Sequence, residues 1–183
     1  PPVTLLALVL GWTVLPGHAG FWTVVALASM AFPLATRALE ILSGPARGRA
    51  WGPFVRATLE DTQAVGARVA LQLTFLAHDA GVRLHAISTT LIRLGVTGRR
   101  FLEWETMAAT SARGEVARLR TFLKEMRASP VVATVTLLVV AVLRPSALWM
   151  ALPVIGAWAA APWVAWALSR PIAIRRTELS AED

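Results

Sequence analysis

Cysteine is absent from the 183 residues, so neither a disulfide nor a thiolate metal site can form. Tyrosine is absent too, and lysine occurs once, at Lys124, beside seventeen arginines. The three histidines, His18, His78 and His85, are too scattered for a metal-binding motif. No basic stretch followed by a small-residue cleavage site opens the chain, so no signal peptide is read there. The first residue is Pro1 rather than Met, and the closing Leu179-Ser180-Ala181-Glu182-Asp183 reads like the opening of something further. The chain is therefore expected to be a piece of a longer polypeptide.

Apolar residues are plentiful, at 56% of the chain, and there are eight Trp. A soluble domain of this size would spread its apolar residues periodically around one core. Here they fall in two blocks, 1–42 and 130–172, with an Arg-rich stretch between them. That is the distribution of a membrane protein. The net charge of +7 raises the question of nucleic acid. Most of the Arg flank apolar segments instead of sharing a soluble face with aromatics, as expected beside anionic headgroups, so no nucleic-acid partner is expected.

The first block, 1–42, is expected to be a transmembrane hairpin turning at Pro16-Gly17-His18-Ala19-Gly20, where two Gly and a Pro crowd together. Residues 3–15 reach only about 20 Å as a helix, whereas 20–38 reach about 28 Å and can cross, with a kink expected at Pro33. Trp12 and Trp22 are placed in an interfacial belt. Residues 43–53 read as a loop, with three Gly and two Pro. Residues 54–98 read as amphipathic interfacial helix in two pieces, broken around Asp79-Ala80-Gly81. The density of Arg68, His78, Asp79, Arg83, His85 and Arg93 argues against a span there.

Residues 99–129 form a cytoplasmic junction and a second amphipathic helix, with Leu119, Phe122, Leu123 and Met126 as its apolar stripe. Residues 130–172 form the second hairpin, turning at Arg144-Pro145-Ser146. Its second arm, 147–169, reaches about 34 Å. Ala157, Ala159, Ala160 and Ala161 offer it a small-residue face. Residues 173–183 start a linker to a downstream domain. The fold class is all-α: an integral membrane helical bundle of two transmembrane hairpins joined by amphipathic interfacial and cytoplasmic helices. Arg144 alone lies in a hairpin turn. The positive-inside rule then puts both turns outside and the middle region and both ends in the cytoplasm.

Chemistry-bearing residues are few. His78 and His85 lie seven apart on one helix, two turns from each other, too far for a helix-borne zinc pair. With Asp79 they read as polar residues of an interfacial helix. Glu103 and Glu105 flank Trp104, and residues two apart on a helix point away from each other. They are read as partners for Arg99, Arg100 or Arg113, not as a catalytic pair. Gly44-Pro45-Ala46-Arg47-Gly48-Arg49 lacks the preceding strand and Lys-Ser/Thr ending of a phosphate loop. No catalytic, cofactor-binding or metal residue is assigned to this segment.

The run Arg93-Leu94-Gly95-Val96-Thr97-Gly98-Arg99-Arg100-Phe101-Leu102-Glu103-Trp104-Glu105-Thr106-Met107-Ala108-Ala109 resembles the Arg-Arg, Leu-Leu-Glu-Trp, Thr-Ala-Ala pattern of cyclic β-1,2-glucan synthases. Leu76-Ala77-His78-Asp79-Ala80 is similar to that family's Leu-Pro-His-Gln-Ala stretch, departing at Ala77 and Asp79. The opening Pro1-Pro2-Val3-Thr4-Leu5-Leu6 and the closing Ser169-Arg170-Pro171-Ile172 and Glu178-Leu179-Ser180-Ala181-Glu182-Asp183 resemble the segments after the family's glycosyltransferase domain and at its exit from the membrane into a glucoamylase-like domain.

The resemblance implies a large inner-membrane parent enzyme of bacteria. That parent takes glucose from UDP-glucose, with a divalent metal in its catalytic domain, and builds, trims and cyclises a β-1,2-glucan. This segment is then the membrane anchor and scaffold, with no cofactor of its own. Its partners are the lipid bilayer and the adjacent catalytic domains of the same polypeptide, with the growing glucan a further candidate. Arg99, Arg100, Glu103, Trp104 and Glu105 are the candidate domain-docking or interfacial residues. Two other classes compete. One is a small transporter or export subunit, which would carry ionisable residues inside its spans. The other is a membrane-anchored interaction module unrelated to sugars.

The Arg asymmetry yields a labelling test. Gly17→Cys and Ser146→Cys are expected to react with an impermeant thiol reagent outside intact cells. Gly48→Cys and Thr110→Cys are expected to react only after the membrane is opened. Labelling at position 48 from outside overturns this topology.

Overall fold

The computed structural model describes residues 1–44, 51–97 and 119–170. Among them every regular element is helical and no strand occurs, in line with an all-α membrane bundle. Helix α1 (Pro2–Thr13) and helix α2 (Ala19–Ser43) form a hairpin. Helix α3 (Trp51–Ile92) runs into a π-helical turn, Arg93–Thr97. A short helix α4 (Leu119–Glu125) precedes α5 (Ala128–Leu143). A 3-10 turn, Pro145–Ala147, then leads into α6 (Leu148–Leu168), and α5 and α6 make the second hairpin.

Two helical stretches are long and apolar enough to cross a membrane, Ala19–Ser43 and Pro145–Leu168. The first arm of each hairpin is shorter: α1 has 12 residues and α5 has 16, about 18 and 24 Å against a hydrocarbon core of about 30 Å. The single amphipathic helix expected to run to Ala128 instead ends at Glu125. There the chain bends by 59° between α4 and α5, so these two count as one span only if a broken helix is allowed. Met126, from the expected apolar stripe, is buried at the bend. Pro33, Pro153 and Pro162 all lie inside continuous helix. Thr36 Oγ1 donates to the Pro33 carbonyl at 2.8 Å.

The middle of the chain departs most from expectation. Residues 54–98 were expected as two pieces, yet α3 is one helix of 42 residues, about 63 Å long, with no break at Asp79-Ala80-Gly81. It begins at Trp51, so Pro53 falls in the first turn, where its missing N–H costs nothing. A helical Gly costs about 1 kcal/mol relative to Ala. At Gly81 tertiary packing offsets that: Ala77 and Ala80 are fully buried, and a Cβ at Gly81 would lie 3.7 Å from the Cβ of Ala128. The helix does not rest on the bundle from outside only. Its centre packs against α1, α2, α5 and α6, with Leu76 in the same core as Leu8, Ala133 and Ile155.

Trp12 also departs from expectation. It is fully buried rather than placed in an interfacial belt. Its ring meets that of Trp158 at 5.9 Å between centroids, and its Nε1 donates to Thr23 Oγ1 at 2.8 Å. Trp22 stays at the turn, donating to the Pro16 carbonyl at 3.0 Å. The α1–α2 approach requires Gly11, where an added Cβ would collide with the Cβ of Trp22. In α6 the buried stripe is Ala151, Val154, Ile155, Trp158, Ala161 and Pro162. Of the expected alanine face only Ala161 is fully buried.

Trp158 ties the elements together. Its Nε1 donates to the Leu73 carbonyl of α3 at 3.1 Å, and its own carbonyl accepts from Ser129 Oγ of α5 at 2.8 Å. Ring packing outweighs either hydrogen bond. Removing a buried Trp ring costs about 3–5 kcal/mol, whereas one interhelical hydrogen bond in lipid averages about 0.6 kcal/mol. Trp158→Ala is therefore expected to lower resistance to detergent unfolding strongly, and Trp158→Phe and Ser129→Ala by about 1 kcal/mol or less each. Equal losses from Trp158→Ala and Trp158→Phe would show that the indole N–H carries the junction.

Candidate functional site

Arg99, Arg100, Glu103, Trp104 and Glu105 lie outside the described residues, as does most of the Gly44–Arg49 stretch. The candidate sites that the structure describes lie at the two ends of the hairpins and in a cavity between α1, α2 and α3.

One end is built from the two hairpin turns. The Arg144 guanidinium donates to the carbonyls of Leu15, at 3.2 Å, and Gly17, more than 120 residues away in sequence. Those carbonyls follow α1, where Gly17 turns the chain at φ 91° and no following helical N–H reaches them. The only basic residue of the hairpin turns thus fastens one turn to the other. Beside it His18, Gly20, Ser146, Trp149 and Met150 line a cavity of about 510 Å³. The sequence marked Arg144 only as a charge in a turn. Its acceptors belong to the other hairpin, and no local pattern reveals them.

Deeper in the bundle, α3 carries the polar residues singled out from sequence. They do not converge. His85 is exposed, while His78 and Asp79 are half-buried. His78 Nδ1 is buried with no hydrogen-bond partner. Among the described residues no group of three or more His, Asp or Glu is placed to hold a metal ion. Asp79 instead lines a cavity of about 230 Å³ with Thr4 of α1, Met30 of α2 and Gln72 and Arg83 of its own helix. Thr4, Met30 and Gln72 were not singled out from sequence. The readable signal was the i, i+4, i+7, i+11 spacing of Gln72, Leu76, Asp79 and Arg83, which puts them on one helix face.

At the far end of α6, the Arg170 guanidinium sits 3.7 Å from the centre of the Trp166 ring. Such a pair presents an apolar body with a charged tip and suits a membrane–water boundary. Near the start of α3, Arg56 Nε pairs with Glu60 at 3.1 Å, both side chains exposed, a contact worth about 0.3–0.5 kcal/mol. Of these contacts only that of Arg144 joins separate hairpins; the Arg170–Trp166 and Arg56–Glu60 pairs are local.

No protein-family model matches the chain. Among curated proteins it is similar to cyclic beta-(1,2)-glucan synthase NdvB of Rhizobium meliloti (strain 1021), 31% identical over 174 residues. The match takes in 93% of this chain and 6% of the relative's length. Nearly the whole chain is thus similar to a small part of that glucan synthase, and it spans only that part of the relative's length.

Proposed function

We propose that the chain is the membrane anchor and scaffold of a processive, UDP-glucose-dependent glucosyltransferase that makes a β-1,2-glucan. The observation that carries this is the similarity over 93% of the chain to 6% of a cyclic beta-(1,2)-glucan synthase. Helix lengths agree with it: two helices can cross a membrane, and the apolar surface left exposed on them includes Phe21, Val24, Phe32, Leu152 and Trp163, as lipid-facing surface should be. In this reading the parent resides in the bacterial inner membrane. The joined turns face outward, and the middle region and both ends face the cytoplasm, in keeping with the Arg-rich sequence there. UDP-glucose and a divalent metal belong to catalytic domains outside this segment. The segment holds those domains at the membrane and in register with one another.

Within this reading, Arg99, Arg100, Glu103, Trp104 and Glu105 dock the preceding catalytic domain against the bundle. Trp offers an amphipathic ring and Arg a bidentate fork for carboxylate or phosphate. The test uses the full-length polypeptide carrying Trp104→Ala or Glu103→Gln. The expected outcome is a large loss of glucan synthesis from UDP-glucose, with normal protein level and membrane insertion. Wild-type synthesis in both variants would leave the segment as a surface anchor without a docking role.

A further inference from the structure

The cavity lined by Thr4, Met30, Gln72, Asp79 and Arg83 lies where α1, α2 and α3 meet. Its polar side chains Thr4, Gln72, Asp79 and Arg83 have no hydrogen-bond or ion-pair partner among the described residues, in contrast to the other threonines of α1 and α2, each of which is bonded. Leu76, at the centre of the same helix face, is buried against the apolar hairpins. Thr4 and Asp79 are half-buried between the helices, with Gln72 and Arg83 exposed at the rim, and polar groups beside apolar surface cost free energy unless something polar meets them. A lipid tail leaves all four unsatisfied.

Charge narrows the class of ligand. Asp79 and Arg83 cancel, so an anion entering the cavity faces the carboxylate and a cation faces the guanidinium. Asp79 offers acceptors only, Arg83 donors only, and Gln72 and Thr4 both. A neutral molecule whose every hydroxyl both donates and accepts satisfies all of them. Size narrows it further. At about 230 Å³ the cavity is smaller than the roughly 300–1,000 Å³ of sites for drug-sized ligands, and a water takes about 30 Å³. One hexose ring with a few waters fits. A second hollow of about 430 Å³ shares Gln72 and Asp79 and continues along α3 past Phe75 to Arg68 and Ala64, which leaves room for the neighbouring units of a chain.

We propose that this cavity binds a glucosyl unit of a neutral glucan, with the adjoining units lying along the Ala64-to-Phe75 side of α3. The inference rests on the glucan-synthase reading above and adds a binding site within the membrane segment itself. Asp79 and Gln72 grip the ring hydroxyls at the junction of the two hollows, and Arg83 and Thr4 line the inner one.

The test uses the full-length polypeptide in native membranes, with Met30→Cys as the sole reactive thiol and short β-1,2-linked gluco-oligosaccharides as the probe. A site filled at ten times Kd should slow alkylation at position 30 about tenfold. An α-1,4-linked oligosaccharide should protect less, and Val14→Cys, near the turns, should not be protected. Asp79→Asn and Gln72→Leu should each remove most of the protection at unchanged protein level. An unchanged alkylation rate in membranes that make glucan from UDP-glucose overturns this site while leaving the glucan-synthase reading intact. Protection that survives both substitutions also overturns it. Membranes that make no glucan overturn both.

Discussion

An indole buried where four helices meet holds this bundle in one arrangement. Trp158 belongs to α6, packs its ring at a tilt against Trp12 of α1, reaches the backbone of α3 with its N–H and receives the Ser129 hydroxyl of α5 on its own carbonyl. Lipid tails are as apolar as the side chains they would replace, so oiliness alone gives no preference for helix-on-helix over helix-on-lipid contact. Shape and the few polar contacts have to decide. Trp158 supplies both at one point, and Arg144 supplies a second point at the turns. Between them the relative position of the two hairpins is fixed at two depths.

The same constraint explains the unequal arms. Backbone N–H and C=O groups at membrane depth need internal partners. A helix satisfies them everywhere except in its last turns. The short arms, α1 and α5, end inside the length of their longer partners, and the centre of α3 packs against all four arms. Ser129, at the start of α5, is fully buried and bonded. Thr23 at the start of α2 donates to the Ala19 carbonyl and accepts from Trp12.

Elements governed by their own composition were readable in the sequence. The long arms α2 and α6 follow from their apolar runs, the first turn from Pro and Gly and the second from Arg144-Pro145-Ser146. Elements governed by distant partners were not. Asp79-Ala80-Gly81 carries local signals for a break, and only the packing of Ala77, Ala80 and Gly81 against the hairpins keeps α3 whole. Trp12 has the amphipathic character of a belt residue. Nothing around it reveals that Thr23 satisfies its N–H and that Trp158 covers its ring. The Asp79 cavity shows the same limit: the face of α3 can be drawn from spacing, but Thr4 and Met30 join it only through the fold.

Helix α3 is a rod of 42 residues gripped near its middle, at residues 73–80, where Trp158 bonds Leu73 and where Leu76, Ala77 and Ala80 are buried. Thr58, nearer the start, is the one other buried residue of the helix, and a rod held most tightly at one interior point acts as a lever. With arms of about 38 and 23 Å from that grip, a tilt of about 10° moves the Trp51 tip by about 7 Å and the Ile92 tip by about 4 Å in opposite directions. Trp51 and Ile92, at those tips, are therefore geared to each other through the rod. Whatever attaches beyond one tip shares a mechanical coordinate with whatever attaches beyond the other.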